Sequence, residues 1–572
     1  MIFKNRREAS REDKKRVELS DMNKRKEEEF YLGTLTAEQM DMLDAIHGLG
    51  VSQQEKVANI LNDSAEVAGR EVTKEITLKP AQVEPTIASY INPRYFIGDE
   101  PGLGKTVMSA SSYAFYRNKQ IKEGKDYTKV IVLTEATHVD SFAREWTSYG
   151  IPMVAMTGTE AQFEEAIADP STYDGIVLTW DGTKTNMFLR HFLTHAHLYK
   201  FMVCDETSHL TNPNSSMFQV VNGMINEYDG GMDRVLFLNG TSFEKNIYDF
   251  YYQFNVLEPK IIPSKTWLND RYVVKEQDTV WRKDAKGDVR KQRYGKVVDY
   301  RNQAELKERL RYYFIARRKE DFSNLELPEH EYQLHMVDLT DQQREWLEES
   351  NNVAVINSPS TSLGEEGIET NRETAPKIKE VVEYAQEHEG DRPLIYVYNH
   401  DSIRAVAQEL SDLGYRVEVL NGETKKSDKS RIVEKFNNYE LDMLVFNVQK
   451  AVSIPTSDRI IFYDIPTMPS ATNQIKARID RNNYTKVKHY DFFCYKDSPE
   501  MVNMARLGYF REKHAGLFTG QGSNVYENLV TQLDEYITEE QAKGLEEAFT
   551  DMYVNNKEFK DVEDKVRDLL QV

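Results

Sequence analysis

Short runs of apolar residues recur along the chain, with room for a helix between most of them. A first set comprises Tyr95 to Gly98, Val130 to Thr134, Gly175 to Trp180, Phe201 to Cys204 and Val235 to Leu238. A second comprises Leu394 to Tyr398, Val417 to Leu420, Met443 to Val448, Ile460 to Tyr463 and His489 to Tyr495. Helical spacing follows several of them. Val107, Ala110 and Ala114 form an apolar stripe after the first run, and Ile403, Val406, Leu410 and Leu413 form another, closed by Gly414. Nearly continuous apolar strands alternating with helices predict an α/β fold with parallel sheets covered on both faces, here in two lobes. Residues 260 to 330 separate the lobes. The first and last 75 residues read as helical and highly charged, and 355 to 375 read as a polar linker. No short-period repeat is visible.

At 572 residues the chain exceeds one core and suits about two to four domains. Its 40% hydrophobic and 29% charged content is that of a globular protein. No apolar run approaches the roughly 18 residues that span a membrane, and the first residues, MIFKNRREASREDKKR, lack the apolar centre of a secretory signal. Both cysteines, Cys204 and Cys494, end strand-like runs without metal-ligand spacing, which reads as two buried thiols in a reducing compartment. The expected location is therefore intracellular: the cytoplasm of a bacterium or phage-infected cell, or the nucleus of a eukaryote. A net charge of −21 requires any nucleic-acid contact to concentrate its positive charge locally. Residues 501 to 572 carry 14 Asp/Glu against 8 Lys/Arg, whereas 281 to 296 carry 7 Lys/Arg against 2 Asp. The basic run reads equally as a solvated face or as a nucleic-acid contact.

The candidate chemistry lies at the ends of two apolar runs. After Tyr95 to Gly98 comes DEPGLGKT, residues 99 to 106, and then the helical stripe. A glycine-rich turn entering a helix aims backbone N–H groups and the helix's positive end at phosphate oxygens. Gly102 and Gly104 admit close approach around Leu103, Lys105 reaches the outer phosphates, and the Thr106 hydroxyl suits a magnesium ion. Asp99 stands where the usual phosphate loop has its first glycine. Asp205 and Glu206 follow a buried strand, at whose carboxyl end parallel sheets bind ligands. Asp205 is the candidate magnesium ligand, and Glu206 the candidate that orients and deprotonates the attacking water.

These residues resemble a superfamily 2 motor, and within it the Swi2/Snf2 group of DNA translocases, whose DExGLGKT loop also accounts for Asp99. The resemblance runs over residues 76 to 495. Leu78-Lys79-Pro80-Ala81-Gln82 stands where the group carries its adenine-reading glutamine, so Gln82 takes that expected role. VIVLTEATHVDSFAREW, 130 to 146, is similar to motif Ia. DETSHLTNPNS, 205 to 215, is similar to the group's DEAHRLKN, with Ser208 in the histidine position and His209 one place later. The stretch 236 to 259 resembles motif III, with Asn239 and Ser242 as replacements and Gly240, Thr241 and Asn246 fitting. Arg317-Arg318-Lys319 and Leu327-Pro328 look like the connector. QIKARIDRNNYTK, 474 to 486, is similar to QxxxRxxR, placing Gln474, Arg478 and Arg481 on one helical face at i, i+4 and i+7. That face is expected to carry arginines to the γ-phosphate. KAVSIPTSDRI, 450 to 460, replaces the glycine-rich motif V, with Ala451 and Asp458 aligned.

The resemblance implies two RecA-like lobes with helical N- and C-terminal segments and an interlobe insertion. The expected divisions are 1–75, a charged helical segment; 76–259, the ATP-binding lobe; 260–330, an insertion with a basic hairpin; 331–495, the second lobe; and 496–572, an acidic helical segment. It further implies an ATP hydrolase that uses ATP and Mg2+. The expected activity is translocation on double-stranded DNA to remodel protein–DNA complexes or DNA branches, the alternative being strand separation on DNA or RNA. Three readings of 281 to 296 stand side by side: a duplex contact, stacking wedges formed by Trp281 and Tyr294, or the small core of a hairpin.

Overall fold

The computed structural model describes residues 35–64, 72–136, 138–240, 247–283, 289–317, 322, 328–350, 376–447, 453–466, 469–480, 486–509, 527–554 and 562–571. Thr241, Ser242, Asn246, Arg318, Lys319, Leu327, Ala451, Arg481 and the 355–375 linker lie outside them. The fold divides into two compact units.

The first unit is built on seven strands: β1 (Arg94–Ile97), β2 (Lys129–Thr134), β3 (Met153–Ala155), β4 (Gly175–Thr179), β5 (Tyr199–Asp205), β6 (Arg234–Leu238) and β9 (Phe314–Ile315). Their order is β3-β4-β2-β5-β6-β1-β9, and every neighbouring pair is parallel. All five anticipated apolar runs are strands here. Their residues are buried because helices cover both faces, each fully buried Val, Leu or Phe contributing about 1.5–3 kcal/mol. Phe96 packs against Phe237 and Phe254 with ring centroids at 5.9 Å, and against Phe314 at 5.2 Å. The two-residue β9, inside the expected connector, was not anticipated. It continues the β1 ladder through Phe96 N–H to Tyr313 C=O, 2.9 Å, and Gly98 N–H to Ile315 C=O, 2.6 Å.

Helices Ala37–His47 and Val51–Ser64, from the charged N-terminal segment, belong to this unit and contact helix Pro80–Ile91. Asn62 pairs with both backbone groups of Leu78, accepting its N–H at 2.7 Å and donating to its C=O at 3.3 Å. Gln39 donates to the Ile91 carbonyl at 3.1 Å. These helices hold both ends of the segment that carries Gln82.

The second unit contains β10 (His330–Val337), β11 (Leu394–Tyr396), β12 (Val417–Leu420), β13 (Met443–Phe446), β14 (Arg459–Phe462) and β15 (Lys488–Tyr495), ordered β10-β15-β14-β11-β13-β12 and again wholly parallel. The acidic C-terminal segment is part of this fold. Leu529, Leu533, Leu545, Phe549, Val566 and Leu570 share one core with Leu334, Tyr490 and Phe492. Gln532, on helix Glu527–Asp534, takes the Leu334 N–H at 2.7 Å and donates to the Tyr332 C=O at 2.9 Å, which covers the β10 edge.

A two-stranded antiparallel ribbon, β7 (Val273–Lys283) with β8 (Val289–Tyr300), occupies the basic insertion, and its register shifts between Val274 and Lys275. Trp281 is opposite Lys291, and Asp278 is opposite Tyr294. Residues directly opposite share a face and successive residues alternate, so Trp281 and Tyr294 lie on opposite faces. Lys275, Lys283, Lys291 and Arg293 fall on the Trp281 face with no acidic position among the paired residues, while Glu276 and Asp278 share the other face with Arg282, Arg290 and Lys296.

Candidate functional site

The turn from β1 into helix Lys105–Lys122 places Gly102 at φ 93° and Gly104 at φ 87°, a left-handed region that side-chain-bearing residues enter only with strain. Gly104 also has no room for a side chain. A Cβ there would stand 2.2 Å from Gln82 Nε2. Gln82 is only 6% exposed and accepts the Lys79 N–H at 2.9 Å, so its carboxamide is held against the phosphate loop. Lys105 Nζ donates to the Asp99 carbonyl at 2.6 Å, bending the side chain back over the turn. Glu100 N–H donates to the Arg317 carbonyl at 3.0 Å, continuing the hydrogen bonds of the β1–β9 edge into the loop.

Asp205 ends β5, with β6 between it and β1. Thr134, the last residue of β2, donates its hydroxyl to Asp205 Oδ2 at 2.8 Å, and His138 Nδ1 is 3.9 Å from the same oxygen. Burial pushes the Asp205 carboxyl up from its ordinary value, opposed by the Thr134 hydroxyl and the Lys105 charge. Glu206 adopts φ 59° and ψ 59°. A non-glycine residue there carries on the order of 1–3 kcal/mol of strain and persists only where its surroundings enforce it.

Those surroundings come from three neighbouring strands. Trp180, directly after β4, donates its indole N–H to the Asp205 carbonyl at 2.9 Å. Its ring lies 5.1 Å from that of His209, tilted by 32°. His209 Nε2 meets Glu135 Oε1 at 2.8 Å, and Thr207 donates to Gln253 Oε1 at 2.6 Å. The displaced histidine of DETSH thus pairs with the residue that follows β2. Thr134, Glu135, Trp180 and Gln253 had no assigned role in the sequence reading. For Thr134, Glu135 and Trp180 the signal is the polar or aromatic residue closing an apolar run, which gains meaning only once the order β4-β2-β5 is known; Gln253 lies within helix Ile247–Leu257 and carries no such signal.

In the second unit Gln474 lies on helix Pro469–Lys476. That helix ends at Lys476, so Arg478 lies in the turn just beyond it, and Arg481 lies outside the described residues. Ile475 and Ile479 both enter the core, and the chain tightens there, with Arg478 N–H bonded to the Ile475 carbonyl at 3.1 Å. Arg478 is 2% exposed, its guanidinium 5.7 Å from the Phe446 ring centroid. Asp458 precedes β14 and so lies at the amino ends of the strands, away from the edge where parallel sheets bind ligands. There it pairs with Lys488 at 2.6 Å and Lys486 at 3.0 Å. Cys204 and Cys494 are buried free thiols. Among the described residues no helix is long and apolar enough to cross a membrane.

A glycine turn opening a helix, with an Asp-Glu pair at the carboxyl edge of the same parallel sheet, defines a nucleoside triphosphatase of the two-sheet α/β class. The SNF2-related domain matches residues 88–388, and the helicase conserved C-terminal domain matches 376–483. The chain belongs to the SNF2-related family, its two parallel sheets are RecA-like lobes, and it is an ATP-hydrolysing motor. No curated protein matches it. Among solved structures it is similar to the Sulfolobus solfataricus SWI2/SNF2 ATPase core in complex with dsDNA, at 17% identity and TM-score 0.36, over 82% of this chain and 99% of that one.

Proposed function

We propose that this chain is an ATP-driven translocase on double-stranded DNA that remodels protein–DNA complexes or branched DNA. The observation that carries the reading is the Asp205–Glu206 turn beside the phosphate loop in a chain of the SNF2-related family. Gly102, Leu103 and Gly104 cradle the phosphates, Lys105 neutralises the outer ones, and Gln82, packed on Gly104, reads the adenine. Asp205 and Thr106 offer the hard oxygen donors that Mg2+ takes, and a carboxyl pushed up by burial suits a cation that holds it ionised. A magnesium ion held by Asp205 and Thr106 would supply neutralisation of phosphate charge. Glu206 orients the attacking water and takes its proton. Arg481 is the first choice for stabilising transition-state charge, with Gln474 and Arg478 completing the motif.

Support for nucleic acid as partner comes from the ribbon positions Lys275, Lys283, Lys291 and Arg293, which share a face with no acid among the paired residues. Tracking through phosphates makes sequence preference slight. The deciding experiment is ATP hydrolysis without nucleic acid and with single-stranded DNA, blunt duplex or RNA. Stimulation by duplex, followed by triplex displacement without strand separation, is expected. Stimulation by single strands or RNA with strand displacement would replace this reading by a helicase. Lys105→Ala and Glu206→Gln abolish turnover with the fold intact, and normal turnover in either would sink the site assignment.

A further inference from the structure

We propose that Trp180 is a positioning residue that holds Glu206 in its left-handed conformation, with the Glu135–His209 pair as a second support. The inference rests on the reading of Glu206 as the group that activates water. Trp180 contacts the turn on both sides of Glu206. Its N–H holds the carbonyl of Asp205, the residue before, at 2.9 Å, and its ring lies against His209, three residues after. Glu135 fixes His209 from the adjacent strand β2 at 2.8 Å, and His209 N–H reaches back to the Glu206 carbonyl at 3.5 Å. Trp180 is 2% exposed and the Thr207 hydroxyl is tied to Gln253, so the turn has little freedom to relax.

Without these supports the backbone at Glu206 would return to the right-handed region and move its carboxylate. Nothing in the phosphate loop would change. Loss of the support therefore affects the chemical step and leaves nucleotide binding intact, a separation that simple loss of core packing does not produce.

Trp180→Phe keeps one aromatic ring beside His209 and removes the N–H donor together with the second ring of the indole. Its kcat should fall roughly ten- to a hundred-fold, with nucleotide Kd and binding stoichiometry close to those of the parent although the smaller buried ring lowers the melting temperature. His209→Ala should lower kcat in the same way. Because both supports act on one turn, the double variant should lose much less than the product of the two single losses. A Trp180→Phe enzyme with kcat within about twofold of the parent, or one whose kcat falls only in proportion to its nucleotide-binding stoichiometry, overturns the proposal. Glu206→Gln serves as the reference. If it keeps turning over, the reading of Glu206 has failed; if it is dead while Trp180→Phe is normal, the positioning role alone has failed.

Discussion

Thr134 and Asp205 end adjacent parallel strands, and the threonine hydroxyl donates to Asp205 Oδ2 at 2.8 Å. Because Asp205 is the proposed metal ligand, the hydroxyl fixes the rotation of a carboxylate whose charged form is penalised by burial. Thr134→Val keeps the β-branched shape and removes the donor. Supporting groups of this kind typically change metal affinity or activity by about 10–100-fold. A magnesium titration of ATP turnover should show a higher half-saturating concentration for Thr134→Val and near-parental behaviour for Thr134→Ser. Equal magnesium curves for Thr134→Val and the parent would remove this role.

The ribbon permits a test in which the effect per charge removed is compared between its two faces. Lys283, Lys291 and Arg293 lie on the face without acidic positions among the paired residues, and Arg282 and Arg290 on the other. Each phosphate contact contributes about 0.9 to the slope of log affinity against log salt for duplex DNA. Converting Lys283, Lys291 and Arg293 to glutamine should flatten the slope by roughly 2 to 3, whereas Arg282→Gln with Arg290→Gln should leave it nearly unchanged. Indistinguishable effects per charge from the two faces would reduce the ribbon to general electrostatics.

Strands whose every position is buried were legible in the sequence, because residues such as Val130 to Leu133 and Leu444 to Phe446 have no polar face to show. β10 was not. His330, Glu331, Gln333 and His335 interrupt its apolar pattern, and its covering comes from Gln532, almost 200 residues later. The phosphate loop and the Asp-Glu pair were legible because their chemistry is local to a few consecutive residues. Trp180, Glu135 and His209 meet only because β4, β2 and β5 are neighbours, an order that chain sequence does not display.

Gln532 acts as a substitute for a neighbouring strand, satisfying one donor and one acceptor of β10. Gln532→Ala leaves the Leu334 N–H and Tyr332 C=O without their side-chain partner, at a cost of about 2 kcal/mol. Hydrogen exchange at the Leu334 amide should accelerate in Gln532→Ala, together with a lower melting temperature for the second unit. An unchanged exchange rate would mean that the nearby core, through Leu529 and Leu533, protects this edge by itself.

Asp464 gives the second unit a pH dependence of calculable sign. Burial raises its carboxyl to about 6, reinforced by Glu500, while Lys377 and the N–H groups of Tyr398 and Asn399 act in the opposite direction. Those N–H groups donate to its Oδ2 at 2.6 Å and 3.4 Å, so the carboxyl also ties down the turn after β11. An unfolded aspartate titrates near about 4. The folded state therefore holds this proton more tightly, and the associated stability is complete below about pH 4 and is lost as pH rises through about 6. The loss at neutral pH is on the order of 3 kcal/mol. Asp464→Asn stays neutral and retains an oxygen that can accept the same N–H groups. In denaturant unfolding followed across pH 4 to 8, the variant should gain on the parent as pH rises, with the difference levelling above about pH 7. Parallel curves for the two proteins would show that Asp464 titrates alike in the folded and unfolded states, its two N–H donors and Lys377 balancing its burial.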